Sequence, residues 1–206
     1  MNYSFQSDRK LPIGAYLMAG GASRRMGRDK ALLLLDGYPL LVQINKLLAS
    51  IVPHPQLVAP IGRYERFGFS PLLDRRSGCG PMAGIETALM HSDFEWNLIL
   101  ACDLPYITRD WLLHMVGTAL AAPLQVACVS TGDNPLLAVW RKSALPTVQG
   151  SLDLGNFRLR DLMKPLNAIN LIPPDPKILA NWNRPEDLPK LDLPENPSEG
   201  KANFDC

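Results

Sequence analysis

Short apolar runs alternate with amphipathic stretches along this chain, and that rhythm constrains its fold more than any other feature. Residues 13–19 form a near-continuous apolar run that ends in Gly20 and Gly21. A run of this length closed by glycines predicts a buried strand feeding directly into a turn. The apolar stretch 31–35 is closed by Asp36 and Gly37 and reads as another strand, and Pro39 then opens an amphipathic segment through residue 48, with proline in the first helical turn. Residues 56–59 read as a strand, 80–90 as a helix with Pro81 near its start, and 96–101 as a buried strand. Thr108 is placed as an N-cap, with Asp110 in the first turn and Trp111, Leu112, Met115, Val116 and Leu120 on one helical face. Segments 125–129 and 135–140 are strand-like, and helices are expected at 143–149 and 157–163. Alternation of this kind predicts an α/β fold with three α/β/α layers around a mostly parallel, Rossmann-like sheet. Its ligands are expected outside the carboxyl ends of the strands.

The chain has 206 residues, enough for one good core. We read residues 1–12 as an extension, 13–188 as one domain, and 189–206, rich in proline and polar residues, as a disordered tail. With 47% hydrophobic and 20% charged residues it has the composition of a globular domain, and a net charge of +1 gives no reason to expect a nucleic-acid partner. Its four cysteines form no CxxC pair, which argues against a zinc ribbon or a disulfide framework. The polar N-terminal residues and the absence of a long apolar run lead us to expect a cytoplasmic protein without a membrane partner.

The richest segment is LMAGGASRRMGRDK at 17–30, where three glycines and four cations follow a predicted strand. Gly20, Gly21 and Gly27 let the backbone approach a ligand and aim N–H groups at it, while Arg25 and Lys30 supply charge-assisted hydrogen bonds. The pattern suits a polyphosphate, the alternative being a solvated basic loop. It is not a P-loop, because no Gly-Lys-Ser/Thr ending is present. The second glycine cluster, at 78–84, is not GxGxxG and reads equally as a tight turn with a helix start. Asp103 follows the strand 96–101, so its carboxylate is expected at the sheet's carboxyl edge near the glycine loop. There it is a magnesium ligand or a cap before Pro105. Asp74, after Leu72 and Leu73, is a supporting contact or a turn residue. The histidines show no HExxH spacing.

Segment 17–30 resembles the LxxGGxSxRMGxDK signature of the molybdenum cofactor guanylyltransferases, within the nucleotide-sugar-transferase-like nucleotidyltransferases. The likeness continues in family order through GPMAG at 80–84, CDLPY at 102–106, Asn134-Pro135 and NWNRPEDL at 181–188. The resemblance implies transfer of GMP from GTP to the terminal phosphate of a molybdopterin, with loss of pyrophosphate. It implies that GTP lies along Met18, Ala19, Gly20, Gly21, Arg25, Gly27, Lys30, Asp74 and Gly80, and that Asp103 binds Mg²⁺. Arg25, Lys30 and Asp103 would carry the chemistry. For the acceptor it points to Asn134, Arg158, Asn181 and Asn183, the alternatives being a turn, a solvated helix face and helix caps. Contact with molybdenum-insertion or acceptor proteins also follows from the family. The sequence departs from the pattern at Asn134, where histidine is usual, at Arg184, where threonine is usual, and at Pro60, where some members carry an asparagine. A cytidylyltransferase, a sugar-phosphate nucleotidyltransferase and a non-catalytic nucleotide-binding module are the competing readings.

Overall fold

The computed structural model describes residues 10–20, 29–132 and 134–182. Strand β1 (Gly14–Met18) is followed by a two-residue ribbon of β2 (Leu34–Leu35) and β3 (Tyr38–Pro39), helix α1 (Leu40–Ala49) and strand β4 (Gln56–Val58). Next come α2 (Pro81–His91), β5 (Trp96–Ala101), α3 (Arg109–Ala121), β6 (Cys128–Thr131) and β7 (Asn134–Arg141). Then α4 (Leu145–Asp153), α5 (Arg160–Met163) and β8 (Ile169–Leu171) complete the described α-helices and strands, and a 3-10 turn at Pro176–Leu179 follows. Six strands form one sheet in the order β4-β1-β5-β7-β6-β8.

β1 pairs in parallel with β4 and β5, and β6 pairs in parallel with β8. β7 alone is reversed, lying antiparallel between β5 and β6. The reversal follows from chain length: β6 and β7 are joined by a turn at Gly132 (φ 51°), and only an antiparallel pair can close over so short a link. Side chains alternate along the strands and so divide the core in two. Ala15, Leu17, Leu98, Leu100, Leu137 and Val139 pack with α1 and α3 on one face. Tyr16, Ile99, Ala138 and Trp140 pack with α2, α4 and α5 on the other. This is the expected three-layer α/β/α arrangement.

Several local expectations are corrected. Residues 31–35 do not form a sheet strand: Lys30–Leu32 is a 3-10 turn and Leu34–Leu35 pairs only with Tyr38–Pro39. Asp36 (φ 49°) and Gly37 (φ 81°) both take left-handed backbone, as the tight two-residue hairpin turn requires, and the apolar residues pack as a small ribbon against α1. The strand expected at 125–129 begins at Cys128, because Val126 N–H donates to Pro123 O and turns the chain first. The helix expected at 157–163 is reduced to Arg160–Met163, and β8 was not legible at all. The tail at 189–206 lies outside the described residues. At the other end Leu11 is buried and donates its N–H to Ile51 O, so the core reaches at least that far.

Among the described residues no helix is long and apolar enough to cross a membrane. Thr108 does cap α3, its side chain accepting from Trp111 N–H. Replacing it by alanine should cost about 1 kcal/mol in chemical denaturation.

Candidate functional site

The site grows from one register. β1 and β5 run side by side in the same direction and end on the pair Met18 and Ala101, with Cys102 N–H donating to Met18 O at 3.0 Å. Whatever follows either strand therefore emerges at the same edge. Ala19 N–H donates to Val58 O, which brings the end of β4 to the same level. Gly20 then turns with φ 102°, and a Cβ built there would stand 2.3 Å from Pro60 Cδ. Both the left-handed backbone and the proline ring demand glycine at this position.

Lys30 returns to this edge at the start of the 3-10 turn, and its Nζ lies 3.3 Å from Asp103 Oδ2. The two side chains are about one-fifth exposed, at 20% and 19%. A partly exposed pair of this kind adds little stability, so its importance lies in where it places the charges. Asp29, just before Lys30, uses both carboxylate oxygens. Oδ1 accepts from Ala31 N–H at 3.1 Å and caps the turn, and Oδ2 accepts from the Tyr64 hydroxyl at 2.7 Å. Tyr64 is fully buried, and burial followed by this hydrogen bond holds its phenol above the ordinary value, so it remains a donor. Burial, reinforced by the negative Asp103 and Asp29, likewise pushes the Cys102 thiol up and leaves it an unreactive thiol.

A second wall is built by the loop leading into α2. Leu72 continues the edge of β4 through a parallel bridge to Val58, which delivers Asp74 close to the β1 terminus. Gly84 on α2 lets the helix come close here: a Cβ would meet Met18 Cε at 2.3 Å and Asp74 Oδ1 at 3.4 Å. Asp74 as a residue is exposed, but its carboxyl lies over this glycine, and the partial loss of solvent raises its pKa. Arg75 N–H donates to Thr87 Oγ1, and Arg76 bridges the buried Glu86 of α2 at 3.0 Å and Asp153 of α4 at 2.6 Å. The loop is thereby clamped to two helices. Gly80 is the residue before α2, with φ 64°, and Pro81 starts the helix.

The expected acceptor residues fare unequally. Asn181 comes to the site, because Trp182 N–H donates to the backbone oxygen of Asp103 at 3.2 Å. Among the described residues Asn181 Oδ1 is buried with no hydrogen-bond partner. Asn134 opens β7, and its Oδ1 accepts from Leu136 N–H, so that oxygen serves a turn. Arg158 is exposed ahead of α5, its N–H donating to Asn156 Oδ1, and no described contact links it to Lys30 or Asp103. Gly21, Arg25, Gly27 and Asn183 lie outside the described residues, as does Arg184.

Tyr64, Arg76 and Glu86 escaped the sequence reading. Tyr64 sits in a polar loop with no motif of its own. The signal for Asp29 was present, as a capping residue directly before a 3-10 turn. For a metal, the described residues contain no group of three or more His, Cys, Asp or Glu that could cage an ion. Mg²⁺ needs no such cage when one carboxylate shares it with phosphate oxygens and water, and Asp103 beside a lysine fits that requirement.

The chain is similar to known proteins in both sequence and fold. The model of the MobA-like NTP transferase domain matches residues 15–169. A probable molybdenum cofactor guanylyltransferase of Deinococcus radiodurans is 36% identical over 183 residues, covering 88% of this chain and 94% of that protein. Molybdopterin-guanine dinucleotide biosynthesis protein A from Archaeoglobus fulgidus superposes with a TM-score of 0.69 at 22% identity, covering 85% of this chain and 94% of that one. CMP:2-keto-3-deoxy-manno-octonic acid synthetase, solved with CTP, has a TM-score of 0.63 at 10% identity over 79% of this chain and 91% of its own. These two structural likenesses speak for the fold.

The raised pKa of Asp74 gives a testable sign. A carboxyl whose native value lies above its unfolded value favours the folded state while protonated, and that advantage is lost as pH rises through the native value. Asp74→Asn should therefore be the more stable protein in ligand-free denaturation at about pH 7. The difference should vanish at about pH 3, where wild-type Asp74 is protonated in both states.

Proposed function

The chain belongs to the MobA-like NTP transferase domain family and is a nucleotidyltransferase, and from that premise we propose that it transfers GMP from GTP to the terminal phosphate of molybdenum-molybdopterin, forming the guanine dinucleotide cofactor and releasing pyrophosphate. One observation carries the proposal: Lys30 Nζ and Asp103 Oδ2 stand 3.3 Å apart where the adjacent parallel strands β1 and β5 end. A cation and a carboxylate in one cleft can grip a triphosphate from two sides, directly through Lys30 and by way of a divalent ion through Asp103.

Phosphoryl chemistry of this class asks the protein for positioning and charge neutralisation more than for covalent help. The chain at 18–20 runs along the phosphates, and Lys30 neutralises non-bridging oxygens as a point charge. Asp103 would hold Mg²⁺, which supplies Lewis-acid neutralisation of the α-phosphate and the leaving pyrophosphate. Asp74, beside Met18 and over Gly84, suits guanine, whose Watson–Crick edge offers two neighbouring N–H donors to one carboxylate. Cytosine presents a single exocyclic donor there. Asn181, brought beside Asp103 by the hydrogen bond from Trp182 N–H to the Asp103 backbone oxygen, is assigned the pterin contact. The acceptor phosphate would then reach the α-phosphorus in line with the departing pyrophosphate. We assign Arg25, Gly21, Gly27 and Asn183 the family's nucleotide and acceptor contacts as part of the same proposal, and Arg158 and Asn134 supporting contacts to the acceptor.

Thermal unfolding with each of the four nucleoside triphosphates, with and without Mg²⁺, discriminates among bases by mass action. GTP with Mg²⁺ should raise the midpoint most. A larger shift with CTP would establish the cytidylyltransferase reading instead. In turnover assays Lys30→Ala and Asp103→Asn should each lose about 10²–10³ in rate. Their folding stability should change by about 1 kcal/mol at most. Wild-type turnover in either variant would remove the assignment.

A further inference from the structure

Lys30 is held at the site by its neighbours in sequence, and these are held by a residue from a different loop. Tyr64 lies 35 residues beyond Asp29 in the sequence. Its loop is wound by Glu65, whose Oε1 accepts from Gly62 N–H at 2.7 Å and whose Oε2 accepts from Tyr64 N–H at 2.9 Å. The ring is wholly buried in the core that packs against α1 and α3. Its hydroxyl donates to Asp29 Oδ2 at 2.7 Å, a charge-assisted bond that fixes the carboxylate in the plane where Oδ1 can cap Ala31. The capped turn is Lys30–Leu32, so the bond sets the backbone direction from which the Lys30 side chain departs toward Asp103. It also engages the carboxylate adjacent in sequence to Lys30.

We propose that Tyr64 is a positioning residue of the transferase site: through Asp29 it aims Lys30 at the phosphates and keeps the neighbouring carboxylate away from it. This rests on the reading of Lys30 as a triphosphate contact, but the placement of Lys30 can be measured without any nucleotide. Tyr64→Phe deletes one oxygen and keeps the buried ring. Asp29→Asn keeps an oxygen for Ala31 and weakens the acceptor for Tyr64.

The first measurement is pulsed acetylation of the ligand-free protein, read lysine by lysine in a mass spectrometer. In Tyr64→Phe the reactivity of Lys30 should change by about three- to tenfold, the range expected for loss of one hydrogen bond. Lys46, Lys142 and Lys177 should keep their wild-type rates, which a general loosening of the fold would not allow. Asp29→Asn should alter Lys30 in the same direction, and the double variant should add little to the larger single effect. The second measurement is calorimetric titration with inorganic tripolyphosphate, in which Tyr64→Phe should weaken binding severalfold in the parent and by less than about twofold in a Lys30→Ala background. Unchanged Lys30 reactivity, or an equal loss in both backgrounds, overturns the proposal. If Lys30 reactivity responds while the wild-type protein binds no triphosphate, the positioning stands and the transferase reading of Lys30 falls.

Discussion

Two parallel strands that stop at the same level are what the rest of this molecule depends on. Because β1 and β5 end on the pair Met18 and Ala101, the glycine turn after one and Asp103 after the other share an edge. Lys30 can then close a 3.3 Å pair with a residue 73 positions away. Neither side chain is deeply buried, and the pair is a poor source of stability. The scaffold beneath them is rigid for a different reason: alternating side chains of the central strands fill two apolar layers, to which neither Lys30 nor Asp103 belongs.

The surroundings of the pair are shaped by close approaches that larger residues would prevent. Gly20 lies against the Pro60 ring and Gly84 against Met18, so the turn and α2 both come near the strand ends. The loop between β4 and α2 is held by Arg76, whose guanidinium joins Glu86 and Asp153 and thus couples the Asp74 wall to α4. On the opposite flank Trp182, buried against Tyr106, hangs from the Asp103 carbonyl and carries Asn181 with it. An unpaired buried amide oxygen is costly, and among the described residues Asn181 Oδ1 has no hydrogen-bond partner.

Much of the layered fold was legible because its signals are local. The run 96–101 is apolar but for Asn97, as suits a strand covered on both faces, and Thr108 with Asp110 announces α3. The meeting of Lys30 and Asp103 at one edge was legible because one follows a glycine loop and the other follows a buried strand. Other features are decided by pairing that no local pattern encodes. Residues 31–35 have the composition of a strand, yet the Asp36-Gly37 turn folds them into a separate ribbon. β8 has three residues and one exposed side chain, too little to announce itself. Tyr64 depends on a contact across two loops, and Asn134 resembles a family contact while its side-chain oxygen serves a turn.

On the proposed function, Lys30 and Asp103 hold one triphosphate by two different means. Calorimetric GTP affinity across a Mg²⁺ series, compared between the wild type and Asp103→Asn, tests it most directly. The account predicts that Mg²⁺ tightens GTP binding to the wild type by about tenfold or more, while Asp103→Asn retains metal-free binding through Lys30 and loses most of the response to Mg²⁺. An identical response to Mg²⁺ in the two proteins would contradict it.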